Sequence, residues 1–73
     1  GKNDFAISSF QEALKEKQGM DDEKKDILYT LGGLLEKMGK TEEAMEQYKV
    51  IYNVDIGYRD ISAKVDAYYA AKQ

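Results

Sequence analysis

Apolar side chains recur at spacings of three and four along most of this chain, which is the spacing of one face of an α-helix. Glycines separate four such stretches, and no long polar–apolar alternation indicates a strand. The predicted helices span about 4–17, 22–38, 42–54 and 59–72. Gly19, Gly39 and Gly57 follow the first three stretches, so each is expected to close a helix in the left-handed conformation. The sequence therefore predicts an all-α fold.

The second and third predicted helices carry the clearest apolar stripes. On the second helix the stripe consists of Ile27, Leu28, Leu31, Leu34, Leu35 and Met38. On the third helix it consists of Ala44, Met45, Tyr48, Ile51 and Tyr52. Thr41 is predicted to cap the third helix, because a threonine hydroxyl at a helix start accepts from free backbone amides. We expect the second helix to be the most buried element.

The first and third predicted helices match when the sequence is shifted by 38 residues. The shift aligns Gly1 with Gly39, Lys2 with Lys40, Asn3 with Thr41, Ala6 with Ala44 and Phe10 with Tyr48. A turn glycine, a cap-type residue, a small residue and an aromatic residue thus recur in the same order, which indicates an internal repeat. The match also predicts that Gly1 lies in a turn between two helices, so that the chain is a piece of a longer protein.

Residues 28–48 resemble the tetratricopeptide repeat. The pattern L-x2-L-G-x2-L-x3-G-x4-A-x3-Y is formed by Leu28, Leu31, Gly32, Leu35, Gly39, Ala44 and Tyr48. The resemblance implies antiparallel helical hairpins stacked as a right-handed superhelix, with Gly32 and Ala44 allowing two helices to approach closely. Over a single domain at 1–73, it implies the second helix of a truncated repeat at 1–18, a complete repeat at 22–55 and a capping helix at 58–73.

The chain departs from the family's pattern in several places. Leucine replaces the family's tryptophan and its second aromatic residue, Ile51 stands where a small residue is common, and Ile56 replaces a proline. The period of 38 residues exceeds the family's 34, so about four extra residues lie around 18–25. We expect these residues to lengthen the first helix or to form a protruding acidic turn at 21–23.

Composition excludes several classes of function. Eleven basic and fourteen acidic residues give a net charge of −3, so no positive field draws the chain to nucleic acid or to a membrane surface. Cysteine and histidine are absent, which removes the usual zinc ligands and the usual base for a serine nucleophile. We therefore expect a non-catalytic protein with no cofactor and no metal. The cytoplasm is slightly favoured as its compartment.

In the resembled family the first helix of each repeat lines a concave groove, so the resemblance implies a scaffold that binds a partner protein or peptide. The implied groove residues on the second helix are Asp26, Tyr29, Thr30, Gly33, Glu36 and Lys37. Those on the last helix are Asp60, Ala63, Lys64, Ala67 and Ala70. Some family members grip a carboxylate with several cations, but Lys64 is the only cation at the matching positions. We therefore expect Tyr29 above Gly33 to make an apolar or aromatic contact instead.

Three alternatives stay open on the sequence alone. The first is that the groove residues form a helix face that only contacts solvent, which explains them as well as a binding groove does. A homo-oligomer through an exposed face of residues 4–17 is the second alternative, and its apolar side chains are Phe5, Ile7, Phe10 and Leu14. The third is a regulatory helical domain of a larger multidomain protein. The segment 58–60 is expected to begin the last helix, with only a local structural role.

Overall fold

The computed structural model describes residues 2–16 and 19–72, and every regular element in these ranges is an α-helix. The four helices are α1 (Lys2–Glu16), α2 (Asp22–Lys37), α3 (Thr41–Val54) and α4 (Ile61–Lys72). The prediction of an all-helical chain with four helices is confirmed. The predictions for Gly1, for residues 17 and 18 and for Gln73 lie outside the described residues.

Helices that are adjacent in the chain pack against each other: α1 contacts α2, α2 contacts α3, and α3 contacts α4. The principal extents of the chain are 34 × 29 × 15 Å. A helix backbone has a radius of about 2.3 Å and packed helices lie about 8–10 Å apart, so the smallest extent matches two layers of helices. The most extensive contact joins α2 and α3 at the centre.

The core lies where α2, α3 and α4 meet. Its buried side chains are Leu28, Leu31 and Leu35 of α2, Ala44, Met45, Tyr48 and Ile51 of α3, and Ile61 and Val65 of α4. α2 and α3 have four buried residues each, so the expectation that α2 is the most buried element stays a prediction. Within α3, Ala44, Tyr48 and Ile51 are all 0% exposed, because α3 packs between α2 and α4.

Gly32 marks the closest approach of α2 and α3. A Cβ atom added at Gly32 would lie 2.5 Å from a ring carbon of Tyr48, which is inside van der Waals contact. Only a glycine therefore allows the tyrosine ring to lie against the α2 backbone. The predicted close approach at Gly32 is confirmed, and its partner across the interface is the ring of Tyr48.

The turn between α2 and α3 closes as predicted. Gly39 has a φ of +79°, its amide donates to the Glu36 carbonyl, and the Lys40 amide donates to the Leu35 carbonyl. This pair of bonds is the Schellman motif, which satisfies the last free carbonyls of a helix. Gly57 does not have a positive φ, so the same prediction is wrong there. Gly19 directly follows residues outside the described ranges, so the prediction for it stays a prediction.

The helix starts differ from the predictions in their chemistry. Asp21 caps α2, because its side chain accepts a hydrogen bond of 2.8 Å from the Lys24 amide. The acidic residues 21–23 therefore form a cap and a first turn, where the helix dipole favours negative charge, and not a protruding turn. Thr41 is already the first residue of α3, and the preceding Lys40 makes no side-chain capping bond, so the predicted threonine cap is wrong.

The segment before α4 is longer than predicted. α4 begins at Ile61, two residues later than the pattern indicated, and Arg59 has a φ of 44°, in the left-handed region. A left-handed residue cannot continue a right-handed helix, so the segment 58–60 precedes α4 and does not begin it.

The outer helices expose more apolar surface than the inner ones. Phe5 of α1 is 76% exposed, but Ile7, Phe10 and Leu14 pack against the core, so most of the apolar face expected to be open on α1 is partly covered. On α4, Tyr69 is exposed, whereas Tyr68 packs against the core. The remaining exposed positions of α4 include Ala63, Asp66, Ala67, Ala70, Ala71 and Lys72. The capping role of α4 stays a prediction.

Candidate functional site

Three tyrosine rings, which we call the tyrosine cluster, meet where α2, α3 and the segment before α4 come together. The ring centroid of Tyr29 lies 5.8 Å from that of Tyr48 and 6.0 Å from that of Tyr58. Both pairs are tilted or edge-on, which is the arrangement that aromatic quadrupoles favour. The cluster connects residues that are far apart in the chain and so positions the surface between α2 and α4.

Each hydroxyl of the tyrosine cluster donates a hydrogen bond to a carboxylate. Tyr29 donates to Asp60 over 2.5 Å, and the buried Tyr48 donates to Glu36 over 2.5 Å. Tyr58 donates to Asp26. These are charge-assisted bonds, which are shorter and stronger than bonds between neutral groups. They fix three carboxylates of the predicted groove in place.

The same bonds shift the pKa values of both partners. The hydrogen bond from Tyr29 lowers the pKa of Asp60, and the one from Tyr58 lowers the pKa of Asp26. The bond to Asp60 raises the pKa of the Tyr29 hydroxyl. Burial, followed by the bond to Glu36, raises the pKa of Tyr48 far above its usual value. All four shifts favour an ionised carboxylate beside a neutral phenol.

Arg59 lies over the tyrosine cluster. Its Nη2 is 3.1 Å from Asp26, and its guanidinium carbon is 5.2 Å from the ring centroid of Tyr29 and 5.4 Å from that of Tyr58. Cation–π contacts of this kind hold a planar guanidinium in one orientation. The unusual backbone conformation of Arg59 is therefore supported by three side chains.

A second cation links α4 to α2. Lys64 Nζ lies 3.2 Å from Glu36 Oε1 and 5.2 Å from the ring centroid of Tyr48. Glu36 thus accepts from both Tyr48 and Lys64. Tyr29 and Glu36 are seven residues apart on α2, so they lie on one line along the helix. The Tyr29–Asp60 and Glu36–Lys64 contacts together form a polar ridge between α2 and α4.

The surface has a depression on each side of this ridge. The first, which we call the α1–α2 depression, has a volume of about 450 Å³ and is lined by Phe10, Tyr29, Thr30, Gly33, Leu34, Lys37 and Arg59. The second, which we call the α3–α4 depression, has a volume of about 440 Å³ and is lined by Glu36, Thr41, Met45, Ala63, Lys64, Ala67, Tyr68 and Ala71. Most of the second lining is apolar.

The structure thus divides the predicted groove residues into three groups. Four of them line the α1–α2 depression, namely Tyr29, Thr30, Gly33 and Lys37. Four line the α3–α4 depression, namely Glu36, Ala63, Lys64 and Ala67. Asp26 and Asp60 hold the tyrosine cluster, and Ala70 is exposed outside both depressions. The expected apolar role of Tyr29 holds only for its ring, because its hydroxyl is bonded to Asp60.

Sequence reasoning missed several lining residues. Leu34 was assigned only to the apolar stripe of the second helix, Phe10 was assigned to the exposed face of residues 4–17, and Arg59 was expected to have only a local role. The predicted 59–72 helix would have placed Arg59 on a regular helical turn, and its left-handed φ brings it onto Tyr29 instead. No sequence pattern indicates such a backbone conformation at an arginine.

A third depression, of about 430 Å³, lies between α1 and α3 and is more polar. Its lining consists of Asp4, Ile7, Ser8, Gln11, Leu35, Lys40, Glu43, Glu46 and Gln47. Across residues 2–16 and 19–72, no group of three or more acidic, histidine or cysteine side chains is arranged to hold a metal ion. Within the same ranges no helix has the length and apolar character that a membrane span requires.

Comparisons with protein-family models, with curated proteins and with solved structures find no match to this chain.

Proposed function

We propose that this chain is a tetratricopeptide-like module that binds a segment of another protein on the surface of α2 and α4, without catalysis. The family pattern over residues 28–48 supports the proposal, since its small and aromatic members lie at the contact between α2 and α3. The packing of consecutive helices and the thickness of two helix layers are also those of stacked helical hairpins.

The observation that carries the proposal is the pair of depressions beside the polar ridge. Each has a volume near 450 Å³, which lies within the range of about 300–1,000 Å³ typical of ligand sites. Each combines apolar or aromatic lining with a few polar groups at fixed positions. This arrangement suits side chains of a bound protein segment, because apolar contacts give affinity and the fixed polar groups give orientation.

Peptide selection followed by NMR titration tests the proposal. Random displayed peptides are selected on the immobilised chain, and enriched peptides are titrated into ¹⁵N-labelled protein. We expect the chemical-shift changes to cluster on Tyr29, Gly33 and Ala67. Failure to enrich any peptide, or shifts that avoid these residues, would count against the groove.

Two blocking variants sharpen the test. Gly33→Arg fills the α1–α2 depression and Ala67→Arg fills the α3–α4 depression, and both positions are on helices and accessible. At Gly33 an added Cβ meets only the Tyr48 hydroxyl oxygen, at 3.9 Å, so the variant is expected to fold. Asn53→Arg on the exposed side of α3 is the matched control. The first two should weaken binding about tenfold or more, and the control should not.

Self-association is a second candidate function, and Phe5 is the observation that favours it. This side chain is 76% exposed on a helix that has no fully buried residue. An exposed aromatic ring beside partly covered apolar neighbours favours contact with another surface. Sedimentation at several concentrations should then show a dimer that Phe5→Lys abolishes, whereas a monomer at every concentration would eliminate this candidate for the chain.

A further inference from the structure

The α1–α2 depression is lined by two cations although the protein as a whole is acidic. The net charge of the chain is −3, yet the lining includes Lys37 and Arg59 and no carboxylate, while Asp26 pairs with Arg59 at its edge. The rings of Phe10 and Tyr29 and the side chain of Leu34 line the same depression. A ligand that fits this surface therefore carries negative charge at its ends and apolar character between them.

Arg59 is oriented before any ligand binds. Asp26 uses one edge of its guanidinium, the rings of Tyr29 and Tyr58 fix its plane, and its side chain is still 57% exposed. A guanidinium has five donors, so the remaining ones are open to a second acceptor. A carboxylate suits this geometry because it can accept two parallel hydrogen bonds from one guanidinium.

Lys37 is the second anchor. It lies in the last turn of α2, and within residues 2–16 and 19–72 it forms no ion pair or hydrogen bond with another side chain. Lys37 comes eight residues after Tyr29, which corresponds to about 12 Å along the helix axis. Arg59 lies over the ring of Tyr29. The backbone positions of Tyr29 and Lys37 are thus about two helical turns apart, and both residues line the depression.

We propose that the α1–α2 depression binds an extended segment with the pattern acidic-x-apolar-x-acidic. An extended chain rises about 3.3 Å per residue, so its first and fifth residues lie about 13 Å apart. Alternate side chains point to the same side, so residues one, three and five all face the depression. One carboxylate binds Arg59, the other binds Lys37, and the apolar side chain lies on Phe10 and Leu34. This inference rests on the proposed function, because it names the chemistry of a segment bound on the same surface.

A peptide series measured by fluorescence anisotropy tests the pattern. The parent probe is labelled acetyl-Gly-Asp-Ala-Leu-Ala-Asp-Gly-amide, which has no free carboxyl terminus. Replacing either Asp with Asn should weaken binding about five- to tenfold, because a charge-assisted contact is lost. Moving the second Asp one position closer should weaken binding as much, since the carboxylate then points away. Equal binding of all these peptides would overturn the proposal.

Protein variants test the two anchors. The Lys37→Gln variant should bind the parent peptide about as weakly as the unmodified chain binds a peptide with one Asp. In this variant, replacing the Asp that would bind Lys37 should have little further effect. Arg59→Lys, which keeps the charge but not the planar fork, should weaken binding less than Arg59→Gln. Lys40→Gln is the matched control, since it removes the same charge from an exposed position outside the depression. An equal effect of Lys40→Gln and Lys37→Gln would indicate general electrostatics and overturn the site.

The outcomes separate this inference from the proposed function. If selected peptides bind and Gly33→Arg or Ala67→Arg blocks them, but the acidic series does not bind, only the acidic pattern is wrong. If no peptide of any kind binds, both proposals are wrong. Competition by inorganic phosphate at the same concentration as the parent peptide would show that the depression binds any small anion, and would also overturn the peptide pattern.

Discussion

Helices α1 and α3 carry matching residues but have very different surroundings. Ala44 and Tyr48 of α3 are both 0% exposed, whereas α1, with Ala6 and Phe10 at the matching positions, has no fully buried residue. α3 packs against α2 and α4, whereas within residues 2–16 and 19–72 the helix that packs against α1 is α2. The comparison teaches that the repeat pattern specifies which face of a helix is suited to packing, while the number of neighbours decides how much of that face is buried.

The aromatic position should give the largest difference between the two helices. Tyr48→Ala is expected to destabilise the fold by about 3–5 kcal/mol, because it removes a fully buried ring and one of the two donors to Glu36. Phe10→Ala should cost about 1 kcal/mol, since this ring is only partly buried. Urea unfolding followed by circular dichroism measures both. Complete loss of cooperative unfolding in Tyr48→Ala would be the extreme form of this result. Equal losses of unfolding free energy in the two variants would contradict it.

The small position should give the next largest difference. Ala44→Leu is expected to cost about 3 kcal/mol through overpacking, because Ala44 has no accessible surface. Ala6→Leu, at the matching position of α1, should change the free energy of unfolding by no more than about 0.5 kcal/mol, because its partly open surroundings accommodate a larger side chain. If the two variants unfold at the same urea concentration, α1 is packed as tightly as α3 in solution.

Variants at the two adjacent glycines of α2 allow its inner and outer faces to be compared. Gly32→Ala should destabilise by about 1–2 kcal/mol, since the added Cβ would collide with the ring of Tyr48. Gly33→Ala should stabilise by about 0.5–1 kcal/mol, because alanine favours the helix and its Cβ meets nothing closer than 3.9 Å. Thermal unfolding of both variants gives the sign directly. Opposite signs are expected, and a stabilising Gly32→Ala would mean that Tyr48 moves freely.

Acid should weaken the hydrogen bonds between tyrosines and carboxylates on the surface between α2 and α4. α1 has no equivalent bond, because Phe10 lacks the hydroxyl that Tyr48 carries. The pKa values of Asp26 and Asp60 are lowered in the folded state by their tyrosine partners. Their contribution to stability is therefore present above about pH 4 and is lost as the pH falls through the folded pKa values. The urea concentration at the unfolding midpoint should therefore be lower at pH 2.5 than at pH 6.

Removing the tyrosine hydroxyls that donate to Asp26 and Asp60 should reduce this loss of stability in acid. A variant with both Tyr29→Phe and Tyr58→Phe should lose less stability on acidification than the unmodified chain, whereas Tyr52→Phe, outside the tyrosine cluster, should behave like the unmodified chain. An unchanged pH dependence in the double variant would show that other carboxylates cause the acid sensitivity.

The sequence predicted the elements of the fold more accurately than the surface. The helical periods, the left-handed Gly39 and the close approach at Gly32 follow from local spacing and from the absence of a side chain. The start of α4 was missed, because Arg59 leaves the helical region. The capping bond was expected at Thr41 of α3, but Asp21 before α2 makes one instead. These differences arise from competing local conformations of similar energy, and a pattern of apolar residues does not choose between them.

The sequence named part of the lining of the two depressions but not its arrangement. Eight of the implied groove residues line one of two depressions, but the ridge that divides them depends on Asp60 reaching Tyr29 and Lys64 reaching Glu36. Phe10 and Arg59 join the surface from elements that lie far from Tyr29 in the chain. Such contacts depend on helix packing, which the periodicity of one helix does not describe.

By itself, the sequence determined four helices, their apolar faces and the position where two helices come closest. These follow from the helical period and from glycine, whose effects act within a few residues. Only the tertiary structure decided that α3 is buried more completely than α1, that three tyrosines meet three carboxylates, and that Arg59 lies over the cluster. Burial and ionic contacts depend on neighbours about thirty residues away in the chain, and those neighbours are positioned only when the helices pack.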